Sequence, residues 1–551
     1  MARRNSLPSL FVVFVCFVVR MAFMAEERWD YVVVGSGFGG AIAALRLAQK
    51  GHRVLVMEMG KRWRPDEFPK TNWNLRKFFW APGLLCHGIQ QLTLLRDVLV
   101  LHGAGVGGGS LVYANTLMKP SPEAFADPKW RGLNDWEEVL APHYEEAKRM
   151  LGVTVNPKMT RADEVMRRVA SEMGVEHSFH PTEVAVFFGE PDKEVPDPYF
   201  GGEGPPRKGC TFCGGCMVGC RVNAKNTLDK NYLHFAEKLG VVILPETRVT
   251  GIEPNPGGGY RILAESSTSL LFKKKVTFEA GGVVLAAGVL GTVPLLLDCK
   301  RRRTLPRLSE ELGNFTRTNS EALLGVAAKG KGPDLCEGVA ITSHFFLNDH
   351  TRVEPVRYSK GSDVMCLLGT PLTDGGTRLT RPLRWIWNCL SRPGDFLRCL
   401  WPLGRAKKTM IILLMQSLDN RTRLVQRRRW LWPFGRAVTS RNMPGHPPVP
   451  ANIPVANETA RRAAKILGGF PQSSLNEVLL NVPTTAHILG GCAMGSHPEE
   501  GVVDARCRVF GYDNFFVVDG SVIGANLGVN PSLTIAALAE YAMSFIPQKR
   551  S

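Results

Sequence analysis

Residues 29–58 read WDYVVVGSGFGGAIAALRLAQKGHRVLVME, and this stretch decides the fold. YVVV at 31–34 is a short β-branched run with the character of a buried strand. GSGFGG at 35–40 is a tight turn, residues 41–50 form an apolar helix stopped by Gly51, and residues 53–58 supply a second strand. The unit is β-α-β. Gly35, Gly37 and Gly40 stand as G-x-G-x-x-G between strand and helix. The first makes the turn, the second lets the backbone approach a pyrophosphate, and the third allows close helix–strand packing. The helix start offers N–H groups and positive dipole to phosphates. Glu58 lies 23 residues after Gly35, at the end of the second strand, where a carboxylate accepts from a ribose 2′-hydroxyl and repels a 2′-phosphate. This motif predicts a dinucleotide site and disfavours NADP. It does not separate FAD from NAD.

Outward from this unit, the 551 residues have 44% hydrophobic and 21% charged side chains, which excludes a disordered tail, a collagen or a coiled coil. The length predicts two or more domains. Net charge is +18, from 68 Lys/Arg and 50 Asp/Glu, and it is local. Residues 378–441 hold fifteen Lys/Arg and two acids, a net of +13, together with Trp385, Trp387, Trp401, Trp430 and Trp432. Two readings stay open for this stretch: a surface lying on an anionic bilayer, or a solvated loop with Trp packed inward. No nucleic-acid module accompanies it, so no nucleic-acid partner is expected.

Residues 1–25 begin with an Arg pair and carry an apolar run too short to cross a bilayer. They read as a signal-like segment or as an over-long start, with Met21 or Met24 as initiator. The expected location is cytoplasmic, peripheral to a membrane, with export as the alternative. Thirteen Cys are too sparse for a disulfide scaffold. Cys210, Cys213, Cys216 and Cys220 form a C-x2-C-x2-C-x3-C run, the spacing of iron–sulfur ligation. A cluster, a structural zinc and a metal-free thiol loop all remain open for it.

Three further segments choose the flavin. GAGVGGGSLVYANT at 103–116, AHILGGCAMG at 486–495 and FVVDGSVIGANLGVNPSLTIAALAE at 516–540 resemble signatures of the GMC (glucose–methanol–choline) flavin oxidoreductases. The likeness is to the cholesterol-oxidase-like branch, which also has a Cys-rich loop followed by AKNTL, here residues 224–228. The resemblance implies an α/β protein. A discontinuous Rossmann-like FAD domain would comprise 29–125, 225–305 and 481–551. A substrate domain with a mostly antiparallel sheet would comprise 126–224 and 306–480, carrying the Cys-rich loop 210–220 and the basic insertion 378–441.

The resemblance also implies site residues. Gly107, Gly108 and Ser110 would line the flavin, Asp519 and Gly520 would reach its ribityl chain or pyrophosphate, and Val249 would join the cofactor-binding set. His487 and Asn530 would stand over the reactive edge of the ring. An alcohol losing hydride must also shed its hydroxyl proton, and a neutral imidazole suits that task. Asn530 can hold substrate oxygen or flavin without titrating, and Pro531 is expected in the first turn of the last helix. The implied reaction oxidises the 3β-hydroxyl of cholesterol or a related sterol, with O2 or an electron-transfer partner as acceptor. The alternatives are a dehydrogenase for another apolar secondary alcohol, passing electrons through an iron–sulfur cluster, and a membrane-associated flavin/thiol redox sensor. The segment MCLLGT at 365–370, where relatives with steroid isomerase activity carry an acid, has none. Isomerisation of the steroid double bond is therefore not expected.

Overall fold

The computed structural model describes residues 27–550, apart from 270–272, 274, 331 and 429–435. The signal-like segment 1–25 lies outside the described residues, as do Trp430 and Trp432 of the basic stretch.

Strand Arg28–Val34 lies at the centre of a seven-stranded sheet, parallel to Val54–Met57 on one side and to Lys275–Leu285 on the other. Val32 and Val33 are fully buried, as expected for a parallel strand covered on both faces. Besides Arg28–Val34, the eleven-residue strand Lys275–Leu285 serves two further partners. Its first half pairs antiparallel with Tyr260–Ser266, and its last three residues pair parallel with Phe515–Val517. That last pairing brings the chain's C-terminal segment into the sheet its N-terminus began. Helix Phe38–Gln49 packs on the final helix Ser532–Ser544.

The second sheet also has seven strands, all antiparallel, in the order Gly369–Pro371, Gly469–Ser474, Ala322–Ala328, Thr409–Gln416, Thr351–Val356, Ser343–Asn348 and His180–Pro181. Helices Arg161–Glu172 and Pro454–Leu467 share an apolar core with it, separate from the core of the first sheet.

Three segments depart from the sequence reading. The basic stretch 378–441 is no simple insertion, because its apolar run Thr409–Gln416 is an inner strand of the second sheet. Strands Thr422–Arg428 and Arg436–Asn442 form a hairpin whose Leu424 is buried in the core of the first sheet. Helix Trp136–Leu151, expected with the substrate domain, packs on Ser532–Ser544, and Tyr144 donates its hydroxyl to Thr534 Oγ1 at 2.9 Å. In each case burial of an apolar face decided the placement, and composition had no access to it.

Candidate active site

A cavity of ≈1190 Å³ runs between the two sheets. It exceeds the range of about 300–1,000 Å³ typical of small-molecule sites, which suits a dinucleotide and a substrate together. Gly35, Gly37, Gly108, Glu58 and Val249 line it on the side of the first sheet, His487 and Asn530 line it toward the second, and Asp519 and Gly520 line it too. Gly40, Gly107 and Ser110 stand behind this wall.

The glycine positions follow from steric limits. A Cβ on Gly40 would sit 2.0 Å from Gly35 O, so the helix reaches its strand only without a side chain. Gly108 has φ +54°, and a Cβ there would lie 2.6 Å from Gly37 Cα. The two Gly-rich loops therefore meet backbone to backbone. Ser110 secures the second loop from behind, donating to Gly107 O at 2.7 Å and accepting from Leu228 N–H at 3.1 Å.

Glu58 is buried and accepts from Ser36 Oγ at 2.8 Å and Gly60 N–H at 2.8 Å. Burial pushes its carboxyl above the ordinary range, against the pull of these donors. Asp519 spends both oxygens on the protein. One takes Gly288 N–H at 2.9 Å and Thr292 Oγ1 at 2.5 Å, and the other takes Ser521 N–H at 2.9 Å and its hydroxyl at 2.5 Å. It ties the start of helix Val289–Arg302 to the C-terminal turn beside the cavity. Its charge faces these donors; the sequence reading had it reaching ribityl or pyrophosphate.

At the far end, His487 follows the short strand Thr484–Thr485 and donates its N–H to Thr485 Oγ1 at 3.0 Å. Its Nδ1 lies 2.6 Å from Glu321 Oε1, at an angle outside ordinary hydrogen-bond geometry. Glu321 Oε2 accepts from Ala486 N–H at 2.9 Å, so the carboxylate holds the loop as well as the ring. His487 Nε2 lies 3.5 Å from Asn530 Nδ2, which is 3.5 Å from Glu354 Oε2. Burial opposes charge on the imidazole, but Glu321 and then Glu354 outweigh it and hold its pKa above the ordinary value. Burial pushes Glu354 up to about 7, against Arg352 and His487. Asn530 Oδ1 and Glu354 Oε1 are buried and find no hydrogen-bond partner among the described residues. Of the two residues, Asn530 lines the cavity, and Glu354 lies behind it.

Glu321 and Glu354 carried no sequence motif. Glu354 is a lone acid in TRVEPV, a strand buried at every position, and that contrast was the one available signal. Residues 365–370 hold no acid, and Met365 and Cys366 do line the cavity. The last helix starts at Ser532 with Pro531 at its cap, one residue later than the sequence spacing predicts.

The Cys-rich loop does not behave as a ligand set. Cys210, Cys213, Cys216 and Cys220 border a separate cavity of ≈140 Å³. Among the described residues no group of three or more His, Cys, Asp or Glu is arranged to hold a metal. Burial pushes the Cys216 thiol up to about 11 and that of Cys210 higher still. The loop is held from beneath by the buried Lys225 ammonium, which donates to the carbonyls of Cys216 at 2.8 Å, Tyr113 at 2.9 Å and Leu111 at 3.1 Å. The iron–sulfur expectation for these four residues is therefore not supported.

Family models for GMC oxidoreductases match residues 206–300 and 416–539, and a model of NAD(P)-binding Rossmann-like domains matches 33–64. The chain is 45% identical over 532 residues to a cholesterol oxidase of Acinetobacter baumannii, with 95% of each chain covered. It is 48% identical over 535 residues to one of Mycobacterium tuberculosis (strain ATCC 25618 / H37Rv), covering 95% of this chain and 92% of that one. The chain belongs to the GMC oxidoreductases. The fold of this GMC oxidoreductase is also similar to the crystal structure of pyridoxine 4-oxidase from Mesorbium loti. That match has a TM-score of 0.58 at 16% identity and covers 94% of this chain and 99% of that one. FAD is the cofactor, and the residues present fit it: the backbone-to-backbone glycine cradle leaves room for a pyrophosphate, and Glu58 lines the cavity at the ribose end.

Proposed function

We propose that this GMC oxidoreductase oxidises the 3β-hydroxyl of a sterol to the ketone, with O2 as electron acceptor. The observation that carries the reading is the meeting of His487 and Asn530, with Glu354 3.5 Å behind the Asn530 amide, in a cavity also walled by Leu323, Ile341, Val356 and Leu413. Identity of 45–48% to the two cholesterol oxidases supports the choice of a sterol. Bound FAD supplies a two-electron acceptor for the hydride. The protein's task is the proton. With Nδ1 facing Glu321, the neutral imidazole carries its N–H there and presents the Nε2 lone pair to the hydroxyl. Asn530 steadies that nitrogen's surroundings without competing for the proton. As the imidazole becomes imidazolium, Glu321 and Glu354 stabilise its charge in a site from which water is largely excluded. Glu354, its carboxyl pushed up to about 7 by burial, backs Asn530 at 3.5 Å.

The test is the visible spectrum of the purified holoprotein, titrated anaerobically with cholesterol. Loss of the oxidised-flavin bands, and their return on admitting air, is the expected result. A spectrum unchanged by cholesterol overturns the sterol assignment. Bands that stay bleached in air overturn O2 as the acceptor.

A further inference from the structure

Helix Thr380–Ser391 is turned inside out. Its protein-facing side is polar: Arg381 is buried and donates to Ala451 O at 2.8 Å, Trp385 Nε1 donates to Thr370 Oγ1 at 2.6 Å, and Asn388 donates to Leu372 O at 3.1 Å. Its outward side is apolar. Leu383, Trp387 and Leu390, spaced on one helical face, are 66%, 69% and 70% exposed. The next helix, Pro393–Leu400, continues the same surface with Leu397, Leu400 and the following Trp401, each more than half exposed. A water-facing helix has the opposite pattern, and a continuous apolar surface of this kind marks a contact.

We propose that this helix pair docks the enzyme on an anionic lipid bilayer. Charge complementarity selects the lipid. Residues 378–408 hold eight Lys/Arg and one acid, and Arg378, Arg384, Arg392 and Arg398 are exposed around the apolar face. Arginine meets phosphate headgroups while Leu and Trp enter the interface, the arrangement of an interfacial helix. Among the described residues no helix is long and apolar enough to cross a membrane, so the pair lies on the surface. The seat is beside the site. The second helix packs on strand Gly369–Pro371 and the turn Val364–Leu368, and Arg405 ties them together by donating to Cys399 O at 2.8 Å and Cys366 O at 3.1 Å. Cys366, Leu368 and Gly369 line the cavity. A membrane-borne sterol then enters a few side chains from the bilayer. This entry route rests on the sterol reading above; docking itself does not.

The experiment uses the full-length holoenzyme and vesicles of phosphatidylserine and phosphatidylcholine in equal parts. Wild type is expected to sediment with them, less so with phosphatidylcholine alone or at high salt. The double variant Leu383→Asp/Trp387→Asp is expected to bind about tenfold or more weakly, while its turnover of detergent-solubilised cholesterol stays at the wild-type level. Wild type left in the supernatant, or a double variant that binds as well as wild type, overturns the proposal. So does a dimer that the double variant dissolves without any vesicle binding, because the surface would then belong to a second copy of the chain. Binding is read without substrate, so a flavin spectrum unmoved by cholesterol removes the sterol reading and leaves docking standing.

Discussion

The two ends of the cavity are built by different means. The end beside the first sheet is made of backbone: Gly35, Gly37 and Gly108 come close because they have no side chains. The end beside the second sheet is made of side chains brought from four distant segments, Glu321, Glu354, His487 and Asn530. The first end tolerates almost no change of shape, and the second almost no change of proton affinity. Binding and chemistry should therefore fail separately.

The sharpest test of that separation is His487→Asn. It removes the only base facing Nε2 chemistry in the proposed mechanism, and turnover should fall about 10³-fold while the flavin absorbance stays at the wild-type level. Loss of FAD together with turnover would break the division between the two ends. Gly108→Val is the converse. With φ +54° and Gly37 Cα 2.6 Å from the new Cβ, the loops must part, and FAD should be retained at least about tenfold more weakly by equilibrium dialysis.

Smaller effects lie within the side-chain end. Glu321 raises the imidazole pKa, so Glu321→Gln lowers it. The acid limb of kcat/KM, which reports the neutral base, should move to lower pH. An unmoved limb would show that Glu321 positions the ring without tuning it. Glu354 gives a stability signature with the opposite cost. Its folded pKa is raised from 4.5 to about 7, so the folded state binds more protons than the unfolded one across that window. The protein loses this stability as pH rises through about 7. Glu354→Gln should raise the melting temperature above pH 7 and change it little near pH 4.5. The mildest effect belongs to Ser110→Ala, which leaves Leu228 N–H without its acceptor behind the loop. It should lower stability by about 1–3 kcal/mol in urea unfolding and leave the flavin spectrum unchanged.

Legibility in the sequence divides along the same line. The β-α-β unit, its three glycines and Glu58 were readable because close approach to a dinucleotide constrains residues adjacent in the chain. His487 and Asn530 were reached through the family resemblance, each beside a glycine-rich signature. Glu321 and Glu354 were given no role, since a single carboxylate in or beside a strand has no spacing to betray it. The cysteine run left three readings open for a related reason: ligand spacing is necessary for a cluster, but only the fold decides whether the side chains converge, and among the described residues they are not arranged to hold a metal. The basic stretch was flagged by charge and tryptophan, yet it contains both an inner strand, Thr409–Gln416, and the inverted helix Thr380–Ser391.

By itself, then, the sequence determined a dinucleotide-binding β-α-β core and, through resemblance, a flavin enzyme, because local sterics and short-range spacing act between neighbours along the chain. Tertiary structure alone decided which carboxyls stand at His487 and which face of Thr380–Ser391 meets the outside. Those outcomes depend on burial and on partners more than a hundred residues away in most cases, and desolvation and long-range pairing exist only once the chain has closed on itself.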